Sequence, residues 1–207
     1  MEVTIKRPTL LLIMISVLLA FITAGLAAGP ADGTTIQGQV IVRNARDNAD
    51  AIIYIDKIPG KVFSPPATPV VLDQVNLTFT PHVLPVLVGT RVAFPNRDEI
   101  RHNVFSPTTN SKFNLGTYPR ATTKYYVFEK PGPVTLLCNV HAEMSAYVMV
   151  TETPYFATTD KTGKFTIPDV PPGNYVLKAW HEKSKPESME IEVLDGQPLN
   201  VQFELRR

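Results

Sequence analysis

Val134-Thr135-Leu136-Leu137-Cys138-Asn139-Val140-His141-Ala142-Glu143-Met144-Ser145-Ala146-Tyr147-Val148-Met149-Val150 decides the reading of this chain. Its two ends are runs of β-branched and aliphatic residues of strand length. Between them, Cys138 to Met144 reads as a tight loop. One short connection therefore carries a thiol, an imidazole and a thioether.

Working outward from this loop, strand-like runs recur at short intervals with turn residues between them. Upstream they are Val70 to Phe79, Val83 to Val88, Arg91 to Phe94 and Tyr125 to Phe128. Gly89-Thr90 predicts a hairpin between the second and third of these. Downstream come Lys164 to Ile167, Tyr175 to Trp180, Met189 to Leu194 and Leu199 to Leu205. Thr34 to Val42 alternates as a strand, Ala51 to Ile55 is a short apolar run, and a proline-rich linker covers Pro59 to Pro69. With 19 prolines and no stretch of helical period beyond the first residues, the fold class is all-β, in antiparallel sandwiches.

Length and composition bound the rest. The 207 residues leave room for one or two domains, and 44% apolar against 19% charged residues marks a folded chain. Lys6 and Arg7 precede an uncharged, largely apolar run from Leu10 to Leu26, and small residues cluster at Ala24, Gly25, Ala27, Ala28 and Gly29. This predicts a signal peptide over residues 1–29. The alternative is an uncleaved membrane anchor over residues 10–26, because a run of about 17 residues sits at the lower edge of what spans a bilayer. Either way the remainder lies outside the cytoplasm, in the periplasm or its equivalent. Without the leader, basic and acidic residues balance, so bulk charge points to neither nucleic acid nor an anionic membrane. The single cysteine, Cys138, excludes an intrachain disulfide. A lone exported thiol calls for burial or a metal.

A metal suits the neighbours of Cys138. His102, in Phe94-Pro95-Asn96-Arg97-Asp98-Glu99-Ile100-Arg101-His102-Asn103-Val104-Phe105, also follows a strand. Two imidazoles, one thiolate and a weak axial thioether form the ligand set of mononuclear copper electron-transfer sites. Taken singly, Cys138 would be an inert buried thiol, Met144 a core residue and His102 a surface one. Zinc is the rival metal, but thioether is a poor ligand for it. Of the other histidines, His82 reads as a surface residue toward the metal end, and His181 as a strand-end residue.

The segment from about Val70 to Val150 resembles the cupredoxins, especially plastocyanin and amicyanin. The matching features are Phe79-Thr80-Pro81, Val92-Ala93-Phe94-Pro95-Asn96, His102-Asn103-Val104 and the Cys-x2-His-x2-Met loop. The resemblance implies a Greek-key β-sandwich with one copper ion cycling between Cu(I) and Cu(II). His102, Cys138 and His141 would be equatorial ligands and Met144 the axial one. Asn103 would hydrogen-bond toward the cysteine loop, and a redox protein partner would dock at the His141 face, beside Val140 and Ala142. A copper carrier needs no small-molecule substrate. The sequence shows no phosphate loop, Gly-x-Ser-x-Gly elbow or His-x-His pair, so the expectation is a non-enzymatic carrier. Copper storage, delivery or sensing, and a structural module with a vestigial site, are the alternatives.

Thr158 to Leu177 resembles carboxypeptidase-regulatory-like, prealbumin-like β modules. Its physical content is a hairpin, with Gly163 and Pro172-Gly173 in turns and Phe165, Ile167, Tyr175 and Leu177 on one side. Such a module usually starts with a Gly-x-Val strand followed by an Ala-x-Val-type strand, which Gly38-Gln39-Val40 and Ala51-Ile52-Ile53-Tyr54 supply. The expected domains are therefore a copper domain over 63–152, inserted into a second module made of 34–62 and 153–207.

Overall fold

The computed structural model describes residues 33–207, so the expected leader at 1–29 and its apolar run lie outside the described residues. Among the described residues, no helix is long and apolar enough to cross a membrane. The chain is all-β. In chain order the strands are β1 (Thr34–Val42), β2 (Ile52–Ile55), β3 (Val70–Val71), β4 (Asp73–Val75), β5 (Thr78–Thr80) and β6 (Val83–Leu87). β7 (Thr90–Pro95), β8 (His102–Ser106), β9 (Phe113–Tyr118), β10 (Thr123–Phe128), β11 (Gly132–Leu137) and β12 (Ser145–Thr151) follow, with one 3-10 turn at Thr109–Ser111. β13 (Phe156–Thr158), β14 (Lys164–Val170), β15 (Gly173–Trp180), β16 (Glu187–Val193) and β17 (Leu199–Leu205) complete the chain.

The middle of the chain forms a five-stranded sheet, β6-β12-β11-β8-β9, facing a three-stranded sheet, β10-β7-β3, with the β4-β5 hairpin beside them. Between them lies a core that includes Phe79, Phe94, Val104, Phe128, Leu136, Met144 and Val148. The two ends of the chain build the rest. β1 runs between β14, antiparallel, and β17, parallel, while β2 lies between β13 and β15, and β16 closes the edge. These sheets enclose a second core that includes Ile36, Ile53, Phe165, Leu177 and Phe203. The closeness of β1 and β17 explains Gly38, where a Cβ would fall 1.9 Å from the Val201 carbonyl oxygen. A small apolar cluster of Ile52, Val83 and Met149, flanked by Tyr54, Tyr147 and Trp180, joins the two cores.

Three local expectations are corrected. β6 and β7 are not a hairpin: Val88 N–H donates to Thr151 O on one sheet and Gly89 N–H to Phe128 O beside the other. Gly89, at φ +86°, is the point where the chain crosses the sandwich. β14 and β15 are not a hairpin either, since β14 pairs with β1 whereas β15 pairs with β2 and β16. Phe165, Ile167, Tyr175 and Leu177 nevertheless share one core, which they enter from two sheets. Finally, Val70 to Phe79 is broken into three strands: β3 pairs with β7, and Asn76 (φ 54°) and Leu77 (φ 60°) turn β5 back on β4.

Candidate metal centre

Two loops at one end of the middle sandwich carry the candidate ligands. The Cys138–Met144 loop is closed by its own backbone: Cys138 N–H donates to Met144 O at 3.2 Å, and Met144 N–H to His141 O at 3.1 Å. Strand pairing of β11 with β12, Leu137 opposite Ser145, holds its base. His102 opens β8, opposite Tyr118 of β9, and β8 also pairs with β11. Neighbouring strands thus deliver both loops to one place.

The side chains of His102, Cys138 and His141 converge there, with ligand atoms all within 4.8 Å of one another. His102 Nδ1 lies 3.1 Å from His141 Nδ1, and Cys138 Sγ lies 4.0 Å from His141 Nδ1. Two nitrogens bound to one ion at about 2.0 Å in tetrahedral array stand about 3.3 Å apart, so the donors fit a single small transition-metal ion. His102 is fully buried, Cys138 nearly so, and only His141 is half-buried. Met144 is buried as well and packs in the same core cluster as Cys138.

A polar scaffold holds the first loop. Asn96 Nδ2 donates to Ile100 O (2.8 Å) and Tyr118 O (3.2 Å), and its Oδ1 accepts from Asp98 N–H (2.9 Å). Arg97 N–H donates to Gln74 O, and the Arg97 side chain pairs with Asp73 on β4. Asp98 links this loop to the β4-β5 hairpin and to His102. Its carboxylate accepts from the Asn76 and Leu77 amides, at 2.7 and 2.9 Å, and faces His102 Nε2 at 2.8 Å. Partial burial alone would push the Asp98 carboxyl upward, but the Leu77 amide, His102 and the Asn76 amide outweigh it and hold it below the usual carboxylate range. Beneath the site, the buried Tyr118 hydroxyl donates to Phe94 O and accepts from Gln74 Nε2. Burial first, and then the neighbouring Cys138, push that phenol upward against the opposing Gln74 hydrogen bond.

Asn103 departs from expectation. Its Nδ2 donates to Asn114 Oδ1 at 2.8 Å rather than toward the cysteine loop, because the β8–β9 register shifts between Asn103 and Phe105 and turns the side chain to β9. Asp98 went unnoticed in the sequence, although its place four residues before His102, just after an Asn-initiated turn, was a signal. His82 and His181 lie away from the centre, where the two cores meet. His82 Nε2 stands 3.3 Å from Glu182 Oε1, and its ring packs edge-on to Tyr147. The buried His181 accepts from Lys183 N–H through Nδ1.

Comparison with known proteins gives two results. Residues 142–206 match the carboxypeptidase regulatory-like domain family. The match begins inside the Cys138–Met144 loop and ends one residue past β17. Among solved structures, a copper-containing nitrite reductase from Thermus scotoductus SA-01 superposes with TM-score 0.40 and 25% identity, over 48% of this chain and 25% of its own. A purple cupredoxin from Nitrosopumilus maritimus gives 0.36 and 24% identity, over 40% of this chain and 99% of its own. A reduced amicyanin variant gives 0.39 and 22% identity, over 49% of this chain and 98% of its own. This chain thus spans a quarter of the nitrite reductase. No curated protein matches it significantly.

Proposed function

We propose that this chain is an exported one-electron carrier holding a single copper ion through His102, Cys138, His141 and Met144. The observation that carries this reading is the convergence of two imidazole nitrogens and the only thiol of the chain on one point. Bound there, copper would supply a Cu(I)/Cu(II) couple. The protein residues would do the rest. The closed Cys138–Met144 loop and the buried His102 hold the donors in one arrangement, so little need move when an electron passes. With the thioether of Met144 as fourth ligand, no open position remains for a substrate. Val140, 47% exposed, and the exposed Ala142 flank His141, so a redox protein could approach that edge closely and exclude water. The near balance of charge makes such docking weak and only mildly dependent on salt.

We also read residues 63–152 as a copper domain inserted in a module made of 34–62 and 153–207. The pairing of β1 with β14 and β17, and of β2 with β13 and β15, supports this reading. Copper titration followed by visible absorption tests the function. The expected result is one equivalent of copper, an intense thiolate-to-copper band and reversible bleaching on reduction. Copper uptake without that band overturns the carrier reading, and irreversible bleaching favours storage or delivery.

A further inference from the structure

We infer that Asp98 is the positioning residue of His102, and that through it the β4-β5 hairpin belongs to the metal centre. The inference deepens the copper reading and rests on it for its second readout only. His102 Nε2 lies 2.8 Å from Asp98 Oδ2, and the His102 side chain is fully buried. A carboxylate can only accept, so a neutral His102 carries its proton on Nε2. The lone pair of Nδ1 is then left facing His141 Nδ1, 3.1 Å away, on the side where Cys138 lies. One hydrogen bond thus selects both the tautomer and the ring orientation that a metal ligand at Nδ1 requires.

The carboxylate is itself fixed. Its Oδ1 accepts from Asn76 N–H and its Oδ2 from Leu77 N–H, the two residues that turn the β4-β5 hairpin with positive φ. Side chains at positive φ are unfavourable for a residue such as Leu, so these amides help to explain why the turn is held there. Asp98 N–H is held by Asn96, and the hairpin is tied to the same loop by the Gln74–Asn96 bridge and the Arg97–Asp73 pair. The hairpin therefore clamps the anion, and the anion clamps the ring. Among the described residues, His141 has no carboxylate partner, so the two histidines are supported unequally. A carboxylate behind a ligating imidazole raises its donor strength and typically accounts for about 10- to 100-fold in metal affinity. It also favours the more highly charged oxidation state.

The test uses the full chain with Asp98→Asn and Asp98→Ala, and Glu99→Gln as a control for loss of a nearby charge, since the exposed Glu99 carboxylate pairs with Arg120 and not with His102. The first readout is the His102 tautomer in the metal-free protein, by nitrogen-15 NMR. The wild type and Glu99→Gln should show a single Nε2–H form. Asp98→Ala should lose it, together with the slow hydrogen exchange of the Asn76 and Leu77 amides. The second readout is Cu(II) affinity, which should fall about tenfold or more in both Asp98 variants and hold in Glu99→Gln. The reduction potential should rise in the same two variants. If Asp98→Ala does not fold, Asp98→Asn decides by the same affinity and potential measurements. A folded Asp98→Ala with the wild-type tautomer, or either folded Asp98 variant with copper affinity within about twofold of wild type, overturns the inference. Should the wild type bind no copper, the tautomer still judges Asp98, and only the copper reading falls.

Discussion

The middle sandwich and the sheets built from the chain ends bury similar apolar residues but differ in what else they bury. In the flanking sheets the buried polar groups are fewer, and among the described residues only Ser184 Oγ there lacks a protein partner. Thr34 bonds to Leu194 O, Thr153 to Ile55 O and Thr159 to Asn48 O. The middle sandwich buries Gln74, Thr90, Asn96, His102, Asn103, Ser106 and Ser111. Gln74 Oε1, Thr90 Oγ1 and Asn103 Oδ1 among them lack a protein partner. Buried polar groups without partners cost about 1–3 kcal/mol each. The middle sandwich bears that cost at more positions than the flanking sheets do, and it is the one that carries the candidate ligands.

The sharpest way to break this contrast is Cys138→Ser. The copper-dependent visible band should vanish entirely, while circular dichroism of the metal-free protein stays β-rich. A Ser variant that retains the intense band would remove Cys138 from the centre. Next in size, Leu177→Ala in the flanking core should lower stability by about 2–5 kcal/mol in denaturant melts and leave the band of the folded protein unchanged. Leu136→Ala, two residues from Cys138, should cost a similar amount and also disturb the band. If Leu177→Ala alters the spectrum as much as Leu136→Ala does, the two cores are not separable in function.

Smaller effects sharpen the comparison. Met144→Leu should keep the band and shift the reduction potential, because a thioether at the axial position bonds weakly. Spectroelectrochemistry checks this, and loss of copper binding would contradict it. At the junction, burial pulls His181 below its usual 6.5, against the raising influence of Glu182 and Asp50, with Lys183 and His82 lowering it further. Between its folded and unfolded values, the unfolded chain therefore holds more protons. Stability should fall as pH drops below about 6.5 and level off once the folded value is passed. His181→Asn, which keeps an acceptor for Lys183 N–H, should flatten that slope in melts across the same range.

Much of this was legible in the sequence for a physical reason. Ligand types are chemically distinctive, and strand-loop-strand patterns hold them in place, so His102, Cys138 and His141 could be grouped before their side chains were seen together. Strand positions were legible from β-branched runs. Partner choice was not. Gly89 and Pro172-Gly173 announce a change of direction equally well whether the chain returns along the same sheet or crosses to the facing one. Burial does not name the partner either: β6 is buried on both faces (Val83, Val86) and β15 on one (Tyr175, Leu177), and each pattern suits a neighbouring strand and a facing sheet alike. Asp98 was hidden because its role depends on Asn76 and Leu77, whose left-handed turn carries no glycine to advertise it. Asn103 was misdirected by a register shift that no residue type announces.

The parallel pairing of β1 with β17 has a consequence in time. Ile36 sits opposite Leu199 and Val42 opposite Leu205, so β1 cannot find this parallel neighbour until the chain has been synthesised past residue 205. Contacts of such sequence separation form slowly, because the loop must close before they reward it. The middle sandwich draws its buried core from residues 72–150. It can therefore assemble early, and once formed it brings residues 55 and 153 together: Thr153 Oγ1 donates to Ile55 O at 2.7 Å. Folding of the middle thus shortens the effective loop between β1 and β17, and β17 completes a sheet that β1 and β14 can begin without it.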